Sequence, residues 1–374
     1  MIVYFSDFDL KGSGYKNIGV PLCQGLSDRG MEVLVCGLGY HGEPHEFGFG
    51  ICPTKFPNIP NMMKVLPTAQ DKKIEAWVTA FDIPLQIGLL NQTPDHGGIP
   101  WVSIFPIEGD PLCEFWAMKL LEFDRHLVLS EFGTQESKKA GLVDAVHLEV
   151  GIDLEEWKPP TSEERTALRE SLDLEEKFVV LTVADNQERK NLSRSMEVFG
   201  EFAKTHNTTY LMVTREWSPV GWVLREYAND LGFADRFFVW ERGITQPRLR
   251  DLYAMADCFL LSSKAEGLGM PILEAMAMKV PVVATNCCAI TDHLKDHRGL
   301  LVEPDYVFVD PWGNSRRYMM SVDMGVDALV RLVEASEEQK DRLKEKALDY
   351  VRKRTWKQAV DIFEEVINNA IQDG

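Results

Sequence analysis

The chain is short of cations. Its 374 residues carry 40 Lys and Arg against 58 Asp and Glu, a formal net charge of −18. General nucleic-acid binding and broad docking on anionic lipid both need a basic face, so neither is expected. An anionic small substrate has to be met by a few placed cations against an unfavourable overall field. Long apolar runs are missing too. No stretch approaches the roughly 18 residues that suggest a membrane span. The N-terminal MIVYFSDFDL has no basic leader and no cleavage site, and it runs directly into a strand-like segment. No signal peptide is therefore expected. Seven cysteines are present, an odd number, with no CxxC pair. Most sit among apolar residues, as in EVLVC and ADCFLL, and read as reduced core cysteines of a cytoplasmic protein. The sequons at Asn191 and Asn207 are then chance matches.

What is present is a βα rhythm. Short apolar runs at 2–5, 32–36, 101–105 and 126–129 alternate with helical patterns at 14–30 and 112–122. Pro21 falls inside the first helical pattern, which predicts a kink or a late start there. The rhythm pauses at Trp157-Lys-Pro-Pro-Thr161 and restarts with strands at 178–184, 209–213, 236–240, 258–261 and 280–284. Helices at 192–204, 219–231, 247–256 and 271–279 lie between them. The length and the pause predict an α/β protein of two doubly wound Rossmann-like domains, 1–157 and 162–354, facing across a cleft. A last helix, 356–374, presents Val360, Phe363, Val366 and Ile367 on one face. It is expected to pack back on the first domain. In open α/β sheets, ligands bind beyond the carboxyl ends of the strands, so the loops after strands are where chemistry is sought.

Four such loops stand out. Lys11-Gly-Ser-Gly14 follows the first strand and opens a helix, which suits an anion or a polar sugar. A plain turn with Ser13 as helix cap fits as well. Gly37-Leu-Gly-Tyr-His-Gly42 matches GxGxxG and suggests a nicotinamide dehydrogenase. EPHEFGFG follows it instead of a helix, so a dinucleotide site is rejected. His41 and His45 are four apart but have no helix or third ligand to make a metal site. Asp185-Asn-Gln-Glu-Arg-Lys-Asn191 opens the second domain. There Lys190 beside a helix N-terminus suits a phosphate, against the plain alternative of a solvated loop capped by Asn191. The fourth is Ser262-Ser-Lys-Ala-Glu-Gly-Leu-Gly-Met-Pro-Ile-Leu-Glu274. Gly267 and Gly269 free the backbone to wrap a ligand, and Pro271 fits the first turn of the next helix, whose amides suit a diphosphate. Glu266 and Glu274 are carboxylates able to accept from hydroxyl pairs such as sugars and ribose present. Helix-capping acids are the plain alternative, but they leave the two glycines unaccounted for.

With SxxEGLGMPILEAMAMKVPVVAT at 263–285, the chain resembles glycosyltransferase family 4, retaining enzymes of GT-B architecture. Supporting segments are NQERKN (186–191), LRDLYAMADCFLLSS (249–263), VGIDLEEWKP (150–159), GSGY and RGMEVLV near the N-terminus, and RTWKQAVDIF (354–363). The resemblance implies a donor-binding second domain and an acceptor-side first domain. It implies that Glu274 binds the ribose hydroxyls and that Glu266 sits by the transferred sugar. Backbone amides of Gly267, Leu268, Gly269 and Met270 would hold sugar and diphosphate, and Lys190 would neutralise the departing diphosphate. Asn186 and Arg189 belong to the same donor loop, and Gly14 would lie by the phosphates. Ser13 and Glu108 are candidates on the acceptor and sugar side, Glu108 in the Phe105-Pro-Ile-Glu-Gly-Asp110 stretch where many relatives carry a His. A turn acid is its plain reading.

Catalytic Glu266 and Lys190, no metal and no cofactor follow from the resemblance. The co-substrate is a nucleoside diphosphate sugar of unspecified base, and the partner is an acceptor glycan, lipid-linked sugar or small molecule. The expected activity is metal-independent retaining transfer of a hexose-type sugar to an acceptor hydroxyl. A nucleotide-sugar-binding protein with weak or no transfer is the alternative, and a nucleotide-sugar epimerase a further one. Asp185 stands where relatives usually carry Arg. One unit charge pair at about 4 Å in an effective dielectric near 20 amounts to roughly 4 kcal/mol. Asp185 is therefore expected to turn away, or to be compensated by Arg189, Arg215 or Lys264.

Overall fold

Strands that are apolar on both faces set the architecture, because such strands are stable only in a sheet covered on both sides. The structure is a computed structural model and describes residues 1–9, 12–69 and 72–373. The chain divides into two compact units. Unit 1 comprises 1–151, 311–315 and 354–374, and unit 2 comprises 152–310 and 316–353.

Unit 1 runs β1 (Ile2–Asp7), α1 (Gly14–Asp28), β2 (Val33–Leu38), β3 (Gly50–Thr54), α2 (Asn58–Ala69), β4 (Ala76–Ala80), α3 (Ile83–Gln92), β5 (Trp101–Phe105), α4 (Glu114–Leu120), β6 (Arg125–Val128), α5 (Glu131–Lys139) and β7 (Val146–His147). Its sheet has the order β3-β2-β1-β4-β5-β6-β7, and each neighbouring pair is parallel. All residues of β4 and β5 are buried. Phe5, Trp77 and Trp101 fill the space above the sheet. The chain after β2 reaches β3 without a helix, so the GLGYHG segment lacks the helix N-terminus that a dinucleotide needs. Helix α1 begins at Gly14 with Pro21 inside it, so the late start expected from Pro21 does not occur.

Unit 2 runs α6 (Ser162–Glu170), β8 (Phe178–Val183), α7 (Leu192–Ala203), β9 (Thr208–Thr214), α8 (Leu224–Asp230), β10 (Phe237–Glu241), α9 (Gln246–Met255), β11 (Cys258–Leu261), α10 (Met270–Ala277), β12 (Val282–Thr285), α11 (Cys288–Leu294) and β13 (Leu300–Val302). A hairpin of β14 (Pro304–Val309) and β15 (Arg316–Met320) follows, then α12 (Val322–Glu334) and α13 (Glu337–Arg352). Its parallel sheet has the order β10-β9-β8-β11-β12-β13. Phe199 stacks on Tyr210 at 4.7 Å and meets Phe233 edge-on at 4.9 Å in the core.

The final helix, α14 (Trp356–Asp373), belongs to unit 1. It buries Val360, Phe363, Val366 and Ile367, the face expected from the sequence. Gly25 of α1 admits it: a Cβ there would run into the Val360 side chain. Tyr4 packs edge-on to Phe363, and Arg29, just past the end of α1, bridges Asp361 and Glu364 of α14. Among the described residues no helix is long and apolar enough to cross a membrane.

Candidate functional site

In unit 2 the strand order reverses direction between β8 and β11. Crossovers leave β8 toward one side and β11 toward the other, which opens a crevice at their carboxyl ends. The two loops entering that crevice are 184–191, after β8, and 262–269, after β11. They are the loops in which the sequence places Lys190 and Glu266, and short bonds join them. Asn191 takes the left-handed conformation at φ 53°, which Asn tolerates better than most residues. This lets its side-chain amide donate to the Ser262 carbonyl at 3.3 Å, while the Ser262 hydroxyl donates to the Asn191 carbonyl at 2.7 Å. The Lys264 amide donates to the Arg189 carbonyl at 2.9 Å, and the Arg189 guanidinium to the Ala265 carbonyl at 2.8 Å.

Glu266 is the centre of this arrangement and is 3% exposed. Its Oε1 accepts from Lys190 Nζ at 2.6 Å and from the Ser263 hydroxyl at 2.6 Å, and its Oε2 from Arg189 at 3.2 Å. Burial alone would raise this carboxyl, but the Lys190 and Arg189 charges outweigh it and bring its pKa down to about 2. At neutral pH Glu266 is therefore ionised and cannot serve as a proton donor.

Glu274 lies in the early part of α10, after Gly269 at φ 85° and Pro271 in the first turn. It is buried, and the Tyr253 hydroxyl donates to its Oε2 at 2.9 Å. Burial raises it to about 7; the Tyr253 bond opposes this and Glu156 adds to it. The two acids thus occupy opposite electrostatic settings, Glu266 among cations and Glu274 in an apolar pocket.

The remaining predicted residues divide by unit. Gly267, Leu268, Gly269 and Met270 lead into α10. Asn186 is fully buried. Its side chain accepts from the Trp222 amide at 2.9 Å and donates to the Trp222 carbonyl at 2.8 Å, so it holds the neighbouring loop. Ser13 caps α1, accepting from the Lys16 amide at 3.4 Å, and Gly14 is the first residue of that helix. Glu108 is half-buried on the loop after β5. These three lie in unit 1, and Lys11 of the same turn lies outside the described residues.

Asp185 is compensated by one of the three candidates. Arg215 grips it in a bidentate pair at 2.7 and 2.6 Å. Burial would raise the Asp185 carboxyl, but Arg215 holds it below the usual carboxylate range. Arg189 serves Glu266 instead, and Lys264 pairs with Glu188. Sequence reasoning missed Ser263 and Tyr253, which orient the two acids. The spacing Ser263-x-x-Glu266 was a usable signal for the first. Tyr253 approaches Glu274 only through the packing of α9 on β11, which no local pattern announces.

Residues 164–307 match the family described as Glycosyl transferases group 1. A stretch of 145 residues is 32% identical to the GDP-mannose-dependent alpha-(1-6)-phosphatidylinositol monomannoside mannosyltransferase of Mycolicibacterium smegmatis, covering 37% of each chain. Another, of 241 residues, is 29% identical to the alpha-galactosylglucosyldiacylglycerol synthase of Streptococcus pneumoniae, covering 58% of this chain and 62% of that one. The chain thus spans about a third to under two thirds of these curated relatives. The fold is shared over nearly the whole length with a glycosyltransferase of Rickettsia africae, with TM-score 0.77, 15% identity, and 100% and 99% of the two chains covered. It is shared also with HepE of Anabaena in complex with UDP-glucose, with TM-score 0.75, 16% identity, and 98% and 99% covered. The matched segment lies within unit 2 and is similar to the group 1 glycosyl transferases, and the two-sheet architecture is the GT-B fold of the solved glycosyltransferases.

Proposed function

We propose that the protein is a retaining glycosyltransferase that moves a hexose-type sugar from a nucleoside diphosphate sugar to an acceptor hydroxyl. The observation that carries this reading is the ion pair of half-buried Lys190 with buried Glu266 at the switch point of unit 2. An apo site built for an anion must keep its cations compensated until the anion arrives, and Glu266 does this for Lys190 and Arg189. When the donor binds, Lys190 turns to the diphosphate and supplies positive charge to the leaving group, together with the amides at the start of α10. Glu266, released but still ionised, then lies beside the sugar. There it accepts hydroxyls and stabilises an oxocarbenium-like centre that the acceptor attacks from the face the diphosphate leaves. Glu274 accepts the ribose hydroxyl pair. On this reading the protein's own groups carry the charge stabilisation and no metal takes part.

In domain terms, residues 162–354 bind the donor. Residues 1–157 with the helix 356–374 receive the acceptor, with Ser13, Gly14 and Glu108 on that side. GDP-mannose in the name of one relative and UDP-glucose bound to a structural neighbour support a nucleotide-sugar donor and leave its base open. Two curated relatives are named for glycolipids, which supports a lipid-linked sugar within the acceptor class. The reading places the enzyme in the cytoplasm, where nucleotide sugars are at hand.

The test is the anomeric configuration of the transferred sugar by NMR, run with Lys190→Ala and Glu266→Ala. Retention is expected, with turnover lower by on the order of 10²–10³-fold in each variant. An inverted product contradicts the retaining mechanism, and full activity in either variant removes that residue from the site. One observation favours a second reading, a nucleotide-sugar-binding protein of weak activity. Asp185 consumes the charge of Arg215 beside the donor loop. Donor binding without measurable transfer or hydrolysis would support it.

A further inference from the structure

The loop from Glu266 to Gly269 turns two of its carbonyls toward α11. The Glu266 carbonyl accepts from the Ala289 amide at 3.2 Å, and the Leu268 carbonyl is 2.7 Å from His293 Nε2. Both donors belong to α11, which is entered through a left-handed Cys288 at φ 48°. A trans peptide is planar and points its N–H opposite to its C=O. Holding these two carbonyls against α11 therefore turns the Gly267 and Gly269 amides the other way. Both glycines are buried, and among the described residues neither amide donates to a protein group. Buried donors without an acceptor are costly, so the pair is built for a ligand that brings acceptors of its own.

We infer that His293 is a positioning residue that aims the Gly269 amide, and with it the Gly267–Gly269 pair, at the diphosphate oxygens of the donor. This rests on the proposed donor site and assigns it a residue outside both donor loops. A carbonyl oxygen only accepts, so Nε2 of His293 carries the proton. In the neutral ring Nδ1 then accepts from the Tyr350 hydroxyl of α13, 3.1 Å away. The Arg298 guanidinium lies 4.1 Å above the Tyr350 ring, and its Nε donates to the His293 carbonyl at 2.7 Å. The imidazole is 2% exposed and is fixed from both ends. It acts through the Leu268–Gly269 peptide and touches no substrate.

The experiment measures binding of UDP, GDP, ADP and dTDP, and of the matching nucleosides by competition, to the wild type and to His293→Phe and His293→Gln. His293→Phe keeps the ring volume and removes the donor. It should weaken the preferred nucleoside diphosphate about tenfold, the loss expected for one hydrogen bond to a charged group, and leave the nucleoside unchanged. His293→Gln carries an N–H at a similar reach and should recover most of the affinity. Wild-type diphosphate affinity in His293→Phe, equal weakening of diphosphate and nucleoside, or no recovery in His293→Gln would each overturn the assignment. If the wild type binds none of the four diphosphates, the donor reading itself fails, which is a separate result. Should His293→Phe not fold, imidazole nitrogen NMR of the wild type decides the matter. A neutral Nε2–H tautomer is expected, and an Nδ1–H tautomer contradicts the inference.

Discussion

The site reduces to two carboxylates with opposite surroundings. Glu266 sits among cations and is ionised at every physiological pH. Glu274 is buried beside a single hydroxyl and is raised to about 7, so its charge changes in the working range. Ribose hydroxyls donate, and only the carboxylate form offers both oxygens as acceptors. The KM for the donor should therefore fall as pH rises from about 6 to 8, with kcat flat, and Glu274→Gln should flatten the profile at a higher KM. A pH-independent KM in the wild type would contradict this. The stability sign is opposite for the two acids. The raised Glu274 lowers stability as pH rises from its ordinary value toward 7. The depressed Glu266 stabilises above its ordinary value and loses that contribution as pH falls toward 2. Asp185 gives a third prediction. Asp185→Asn removes a negative charge beside the donor loop and frees Arg215, so nucleoside diphosphate binding should tighten several-fold by calorimetry. Weaker binding would mean that the pair is needed to shape the loop.

At the scale of elements, the strand order brings the loops 184–191 and 262–269 together and short bonds lock them. How much of this was legible follows from where the information lies. The strands at 101–105 and 258–261 are bounded as the apolar runs suggest, because buried parallel strands carry their own signature. The helix expected at 219–231 begins only at Leu224, since Asn186 clamps the Trp222 backbone and holds the preceding turn out of the helix. The strand expected from Val280 starts at Val282, because the Val280 amide closes α10 by donating to the Ala275 carbonyl at 2.8 Å. The hairpin β14–β15 was not read. Tyr306, Val307 and Val309 are exposed, so no burial pattern marks it. At the candidate site, the sequence named residues of two loops but not which of them meet in space. Lys190 and Glu266 are 76 positions apart, and only the sheet order makes them neighbours. The α1–α14 contact gives an element-scale prediction. Gly25→Leu forces a side chain into Val360, and unit 1 should lose roughly 1–3 kcal/mol in denaturant unfolding. Unchanged stability would show that α14 can shift away at no cost.

For the whole molecule, a chain of net charge −18 is proposed to bind a dianionic leaving group. On that proposal, Lys190, Arg189 and oriented amides are concentrated at one crevice, and Glu266 keeps those cations compensated beforehand. Charge balance overall and charge at the site are thus separate matters, and the acidic composition that disfavours nucleic acid does not disfavour a nucleotide sugar. The most direct test is release of nucleoside diphosphate from a panel of nucleotide sugars, measured for the wild type and for Lys190→Ala at equal folded concentration. The account predicts release from a preferred donor by the wild type and a loss on the order of 10²-fold in the variant. Release from no donor, or equal release by both proteins, would contradict it.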